Sequence, residues 1–268
     1  MILRTLKHQN LNVVVRVVPC ILHTPPPPPT TATKNILVVP ANEQLSGTKL
    51  PYFPHPEYSA TQSKSLHSNT TTVDLPPGAW GGGVVLGSNS FYPVQCIDGL
   101  LSLDAPAVRT ITNRIPQNDQ GVRVNIGDSV ITSCQETSQL LAHYDAICHT
   151  VPPLWSGNKQ YKENQHILLQ NAYASALEAS FNCFGVAACV SMPLLGCGAR
   201  GAPPETSMNS AVRAILHYTG TGGTLDFAIQ NPVHADIFVS KLDECLSDEN
   251  PAVCTDYSVY YVCTSISG

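Results

Sequence analysis

The stretch Gly196-Cys197-Gly198-Ala199-Arg200-Gly201-Ala202-Pro203 is the part of the chain whose residue types best suit chemistry. It follows the apolar run Val186–Pro193 and precedes a helix-like run from Glu205 to Tyr218. A glycine-rich turn from a buried strand into a helix start gathers backbone N–H groups at the positive end of a helix dipole. That is a natural seat for phosphate. The same pattern also serves as a plain strand-to-helix turn. Within it, Cys197 is placed either to react beside those N–H groups or to pack as a small hydrophobe. The histidines show no zinc-ligand spacing with any cysteine pair, and there is neither a Gly-x-Ser-x-Gly elbow nor a Walker loop. No metal site is expected.

The elements that must position this loop alternate between strand and helix. Strands are expected at Leu11–Val18, Asn35–Val39, Val130–Thr132, Tyr144–Thr150, Val186–Pro193 and Leu225–Ile229. Helical spacing covers Ile97–Ile115, interrupted by Pro106, then Glu163–Phe184, Glu205–Tyr218 and Val233–Leu246. On Glu163–Phe184 the inward face is read as Ile167, Leu168, Ala172, Ala176, Leu177 and Phe181. Such alternation indicates an α/β fold, and ligands of such sheets bind at the carboxyl ends of strands. Pro25–Pro29 reads as an exposed polyproline II spacer between two strands, or as a docking segment for a proline-binding module. Residues 43–79 are polar and aperiodic, too long for an ordinary loop. The tail from Val253 to Val262 is β-rich.

At 268 residues with 43% apolar content the chain makes one full domain. Its net charge is −5, only 12% of residues are charged, and no basic run stands out. This argues against nucleic acid or an anionic membrane as a partner, but not against an anionic small molecule held by backbone N–H groups. The ten cysteines contain no C-x-x-C pair and often lie in apolar runs, which reads as buried free thiols in a reducing compartment. The N-terminus lacks a clean signal-peptide core and no run is long enough to span a membrane, so the expected location is cytoplasm or nucleus.

Taken in order, Val39-Pro40-Ala41-Asn42-Glu43, Gly81-Gly82-Gly83-Val84, Ile97-Asp98-Gly99-Leu100, Tyr144–Pro153 with its His149-Thr150-Val151-Pro152 and the loop ending in Pro203 resemble the macro domain family. The resemblance runs from about Leu11 to Leu246. It implies a three-layer α/β/α sandwich with a mixed, largely parallel central sheet. One domain over 1–268 then has a core at about 11–246, insertions near 24–34 and 43–96 and an extension at 247–268. It also implies that the chain binds ADP-ribose or an ADP-ribosylated substrate between two glycine loops, with no cofactor. One loop is Gly81, Gly82, Gly83 and Val84. The other is Gly196, Cys197, Gly198, Ala199, Arg200 and Gly201, wrapping the diphosphate. Ala41 and Asn42 would face the distal ribose, since an amide both donates and accepts, as a vicinal diol requires. Asp98 resembles the acid that aligns or deprotonates water in hydrolytic members, or else is a residue favoured at a helix N-terminus. Members of that branch cleave linkages of mono-ADP-ribosylated proteins, O-acetyl-ADP-ribose or ADP-ribose 1″-phosphate. Others only read ADP-ribose, and a degenerate fold serves as a scaffold. Arg200 stands where hydrolytic members carry an aromatic. No acid occurs in Pro19–Leu22 to read adenine, which leaves Asn231 to supply an amide contact. His149 is read as a core histidine rather than a base.

Overall fold

The computed structural model describes residues 1–22, 24–27, 34–46, 97–134, 142–155, 162–198 and 200–246. Among these lie seven strands, β1 (Ile2–His8), β2 (Leu11–Val17), β3 (Lys34–Pro40), β4 (Ser129–Ser133), β5 (Ala146–Thr150), β6 (Ala188–Met192) and β7 (Thr224–Ile229). They form one sheet in the order β1-β2-β7-β6-β3-β5-β4. The five central strands are parallel, and only the edge strands β1 and β4 run antiparallel. The helices are α1 (Ile97–Asp104), α2 (Ala107–Thr112), α3 (Lys162–Phe184), α4 (Pro204–His217) and α5 (Pro232–Leu246).

Both faces of the sheet are covered, which explains why β5 and β6 are buried at every position. Alternation along β3 sends Ile36 and Val38 into a core shared with α3, α4 and α5. Leu37 and Val39 go to a second core with Leu101, Val108 and the Val18–Leu22 segment. The expected three-layer sandwich is therefore the observed one.

Four elements differ from the sequence reading. The strand expected from Val186 begins only at Ala188, because Gly185–Ala187 forms a 3-10 turn that leaves Val186 71% exposed. Strand β1 was not anticipated, because an irregularity between Ile2 and Arg4 breaks the two-residue period and puts both Leu3 and Leu6 against the core. Ile97–Ile115 is two helices, since Pro106 interrupts the run. Ile167 is 55% exposed, whereas Leu169, Ala172, Tyr173, Ala176, Leu177 and Phe181 are buried. That stripe has the three- and four-residue spacing of one helix face, and Ile167, two residues from Leu169, falls on the opposite side.

The segment leaving β2 is anchored rather than free. Arg16 forms a buried two-bond pair with Asp226, 2.6 Å at each contact, and its Nη1 donates to the Pro25 carbonyl at 2.9 Å. Pro28 and Pro29, residues 47–96 and the Val253–Val262 patch lie outside the described residues. All described cysteines are free thiols. No helix among the described residues is long and apolar enough to cross a membrane.

Candidate functional site

Because β3, β5, β6 and β7 are parallel, the segments that leave them emerge at one edge of the sheet. These are the Ala41–Ser46 turn after β3, Val151–Trp155 after β5, the glycine loop after β6, and Gln230–Asn231 after β7. The fold thus brings Ala41, Asn42, Gly196, Cys197, Gly198, Arg200, Gly201 and Asn231 to the same end. Gly81, Gly82, Gly83, Val84 and Ala199 lie outside the described residues.

The Ala41–Ser46 turn is tied down through its carbonyls. Arg200 Nη2 donates to Ala41 O at 3.0 Å, Arg123 Nε to Gln44 O at 3.1 Å, and Arg109 Nη1 to Leu45 O at 3.1 Å. Glu43 O accepts from the backbone N–H groups of Arg123 and Val124. The Asn42 side chain bonds within the turn, accepting from the Ser46 N–H at 3.1 Å and donating to Ser46 Oγ at 3.2 Å. Asn42 itself remains half-buried. An amide held this way has a fixed orientation.

The glycine loop is built on positive-φ glycines. Gly196 has φ +78°, and a Cβ there would sit 3.3 Å from Ala202 Cβ and Leu169 Cδ1. Gly201 has φ +75°. The loop closes on itself through Ala202 N–H to Gly196 O and Gly201 N–H to Gly198 O, both 2.9 Å. Its base is clamped by a buried network. Leu195 N–H donates to Tyr173 Oη at 2.6 Å, Ser207 Oγ donates to Leu195 O at 2.7 Å, and the two hydroxyls lie 2.6 Å apart. The loop leads into α4, with Pro204 in its first turn and Glu205 there complementing the dipole. Cys197 Sγ lies 3.8 Å from Leu195 O, and desolvation pushes its thiol up to about 12. A thiol in that state packs and does not attack.

Asp98, at the start of α1, is 5% exposed and paired with Arg109. The same guanidinium holds Leu45 O, so Asp98 is connected to the Asn42 turn through one arginine. His149 is fully buried on β5, with Nε2 2.9 Å from Thr132 Oγ1. Burial, reinforced by the Arg109 charge, lowers it to about 3, so it is a neutral core histidine. Asn231 caps α5, its Oδ1 accepting from the Val233 N–H at 2.9 Å, with Pro232 as the next residue. No group of His, Cys, Asp and Glu among the described residues is arranged to hold a metal.

Arg109, Arg123, Tyr173 and Ser207 were missed in the sequence; they sit outside any motif and act on the site through backbone carbonyls or through one another. Glu43 stands in the Val39–Glu43 motif, but its pairing with Arg200 was not read there. The available signal was the arginines themselves, scarce in a chain with only 12% charged residues.

The Macro domain family model matches residues 95–211. An Oceanobacillus iheyensis macrodomain solved with ADP is similar at 21% identity over 90% of this chain and 95% of that one, with TM-score 0.56. A glycine-to-valine mutant of that macrodomain, solved with ADPR, gives 21% identity, 90% and 98% coverage and TM-score 0.53. A Trypanosoma brucei macrodomain gives 14% identity, 86% and 66% coverage and TM-score 0.50. At these identities the likeness is one of fold. No curated protein sequence matches the chain.

Proposed function

We propose that this chain, a macrodomain by fold and by the family match over residues 95–211, binds ADP-ribose at the carboxyl edge of its sheet. The observation that carries the reading is the juxtaposition of two built segments. One is a glycine loop of N–H donors running into the α4 N-terminus. The other is an Asn42 turn locked to it by Arg200. The loop takes the diphosphate through backbone N–H groups between Gly196 and Arg200, where side chains at the glycine positions would obstruct close approach. The Asn42 amide takes the distal ribose. Asn231 lies after β7, where adenine would be met.

A second reading, hydrolysis of an ADP-ribosyl linkage, is favoured by one observation: Asp98 reaches the Asn42 turn through Arg109 and the Leu45 carbonyl. In that reaction water attacks the anomeric carbon or an ester carbonyl while the glycine loop and Asn42 hold the ribose still. Asp98, already paired, orients that water rather than moving freely to it. Incubation with a protein carrying labelled mono-ADP-ribose separates the readings. Release of label that Asp98→Asn abolishes supports hydrolysis. Retained label in the presence of measurable ADP-ribose binding leaves a reader.

A further inference from the structure

Arg200 stands in the glycine loop, yet its guanidinium turns into the protein. The residue is 7% exposed, and Nη2 meets both Ala41 O at 3.0 Å and Glu43 Oε2 at 3.2 Å. Its own carbonyl accepts from the Trp155 N–H at 2.7 Å. One residue therefore joins the segments that leave β6, β3 and β5. Its two side-chain contacts fall on the residues immediately before and after Asn42.

We propose that Arg200 is a positioning residue that sets the Asn42 turn at a fixed distance from the diphosphate loop, with Glu43 as its counter-charge. The proposal rests on the ADP-ribose reading above and deepens it. A guanidinium offers several donors in one rigid plane, so it holds a carbonyl and a carboxylate together, which a lysine ammonium on a flexible stem does poorly. The Glu43 side chain is 31% exposed, so the ion pair fixes geometry more than it adds stability. The consequence is a coupling between subsites. A ligand that touches both the loop and the Asn42 amide gains from their preset spacing, and a ligand that touches the loop alone does not. ADP-ribose and ADP differ in that respect, because ADP lacks the distal ribose.

Calorimetry with ADP and with ADP-ribose on the full chain, Arg200→Lys and Glu43→Gln tests this, together with amide hydrogen exchange of residues 41–46 in the ligand-free proteins. Arg200→Lys is expected to weaken ADP-ribose about tenfold while ADP changes less than about twofold. It should also speed exchange at Leu45 and Ser46, whose N–H groups are bonded to Asn42 within the native turn. Glu43→Gln should show a smaller change in the same direction. Equal losses for the two ligands, or unchanged exchange over 41–46, would overturn the proposal. If neither ligand binds the unaltered chain, the ADP-ribose reading fails, and the exchange comparison alone decides whether Arg200 holds the turn.

Discussion

Asp98 and Arg109 form an ion pair inside the protein, and the guanidinium that neutralises Asp98 also holds the Leu45 carbonyl. The acid expected to act on water is thereby part of the scaffold of the Asn42 turn. Removing one partner of a buried pair leaves the other charged and desolvated, so Asp98→Ala should cost about 3 kcal/mol or more of stability. Denaturant unfolding of Asp98→Ala, Asp98→Asn and the double variant Asp98→Leu/Arg109→Met checks this. The double variant should recover part of the loss. A carboxylate that served only as a base would leave stability and ADP-ribose binding intact in Asp98→Ala.

The Arg16–Asp226 pair makes a parallel case on β2 and β7. Both side chains are nearly inaccessible, and Ser191 Oγ adds a third bond to Asp226 at 2.7 Å. Asp226→Ala should destabilise by about 4 kcal/mol, with little dependence on salt because the pair is shielded from counterions. Urea titrations at low and high ionic strength test both statements.

His149 makes stability depend on acid. Its native-state value is about 3 against 6.5 for a free histidine, so between those limits the unfolded chain binds a proton that the folded chain does not. The contribution is complete above about pH 6.5 and is lost as pH falls, with a slope approaching about 1.4 kcal/mol per unit. Unfolding free energies measured from pH 7 down to 4 should show that slope, and His149→Gln should flatten it. An identical slope in the variant would assign the acid sensitivity elsewhere.

How much of this was legible differs by level. Val38 and Val39, Cys148, and Ala188–Val190 read as buried strand because both faces of a parallel sheet are covered, and the sandwich followed from their alternation with helices. The glycine loop was legible because a positive φ restricts which residues occupy such a turn, whereas Asn42 was singled out only through the resemblance of its motif. Strand β1 was not, since its irregularity at Leu3 removes the period that betrays a strand. The contacts by which arginines hold the Asn42 turn were not either, although Arg200 itself was picked out as a loop residue. Their targets are carbonyls that any residue type supplies, and Arg200 reaches back 159 positions to Ala41. Contacts of that range leave no local spacing to read.

The glycines of the loop divide into two kinds. Gly196 combines φ +78° with two contacts at 3.3 Å for an added Cβ, so Gly196→Ala should cost about 1–2 kcal/mol and disturb the loop. Gly198 is exposed, and an added Cβ there meets nothing within 4 Å. Gly198→Val should therefore melt like the unaltered protein. Thermal denaturation of the two variants side by side separates a glycine needed by the fold from one the fold does not require.

The most direct measurement is a calorimetric titration of ADP-ribose into the full chain and into Gly198→Val. The unaltered protein should give saturable heat at one site and a melting temperature that rises with ligand, while Gly198→Val, equally stable, should give neither. No heat and no thermal shift in the folded, unaltered protein at millimolar ADP-ribose would contradict the assignment of ADP-ribose to this edge of the sheet.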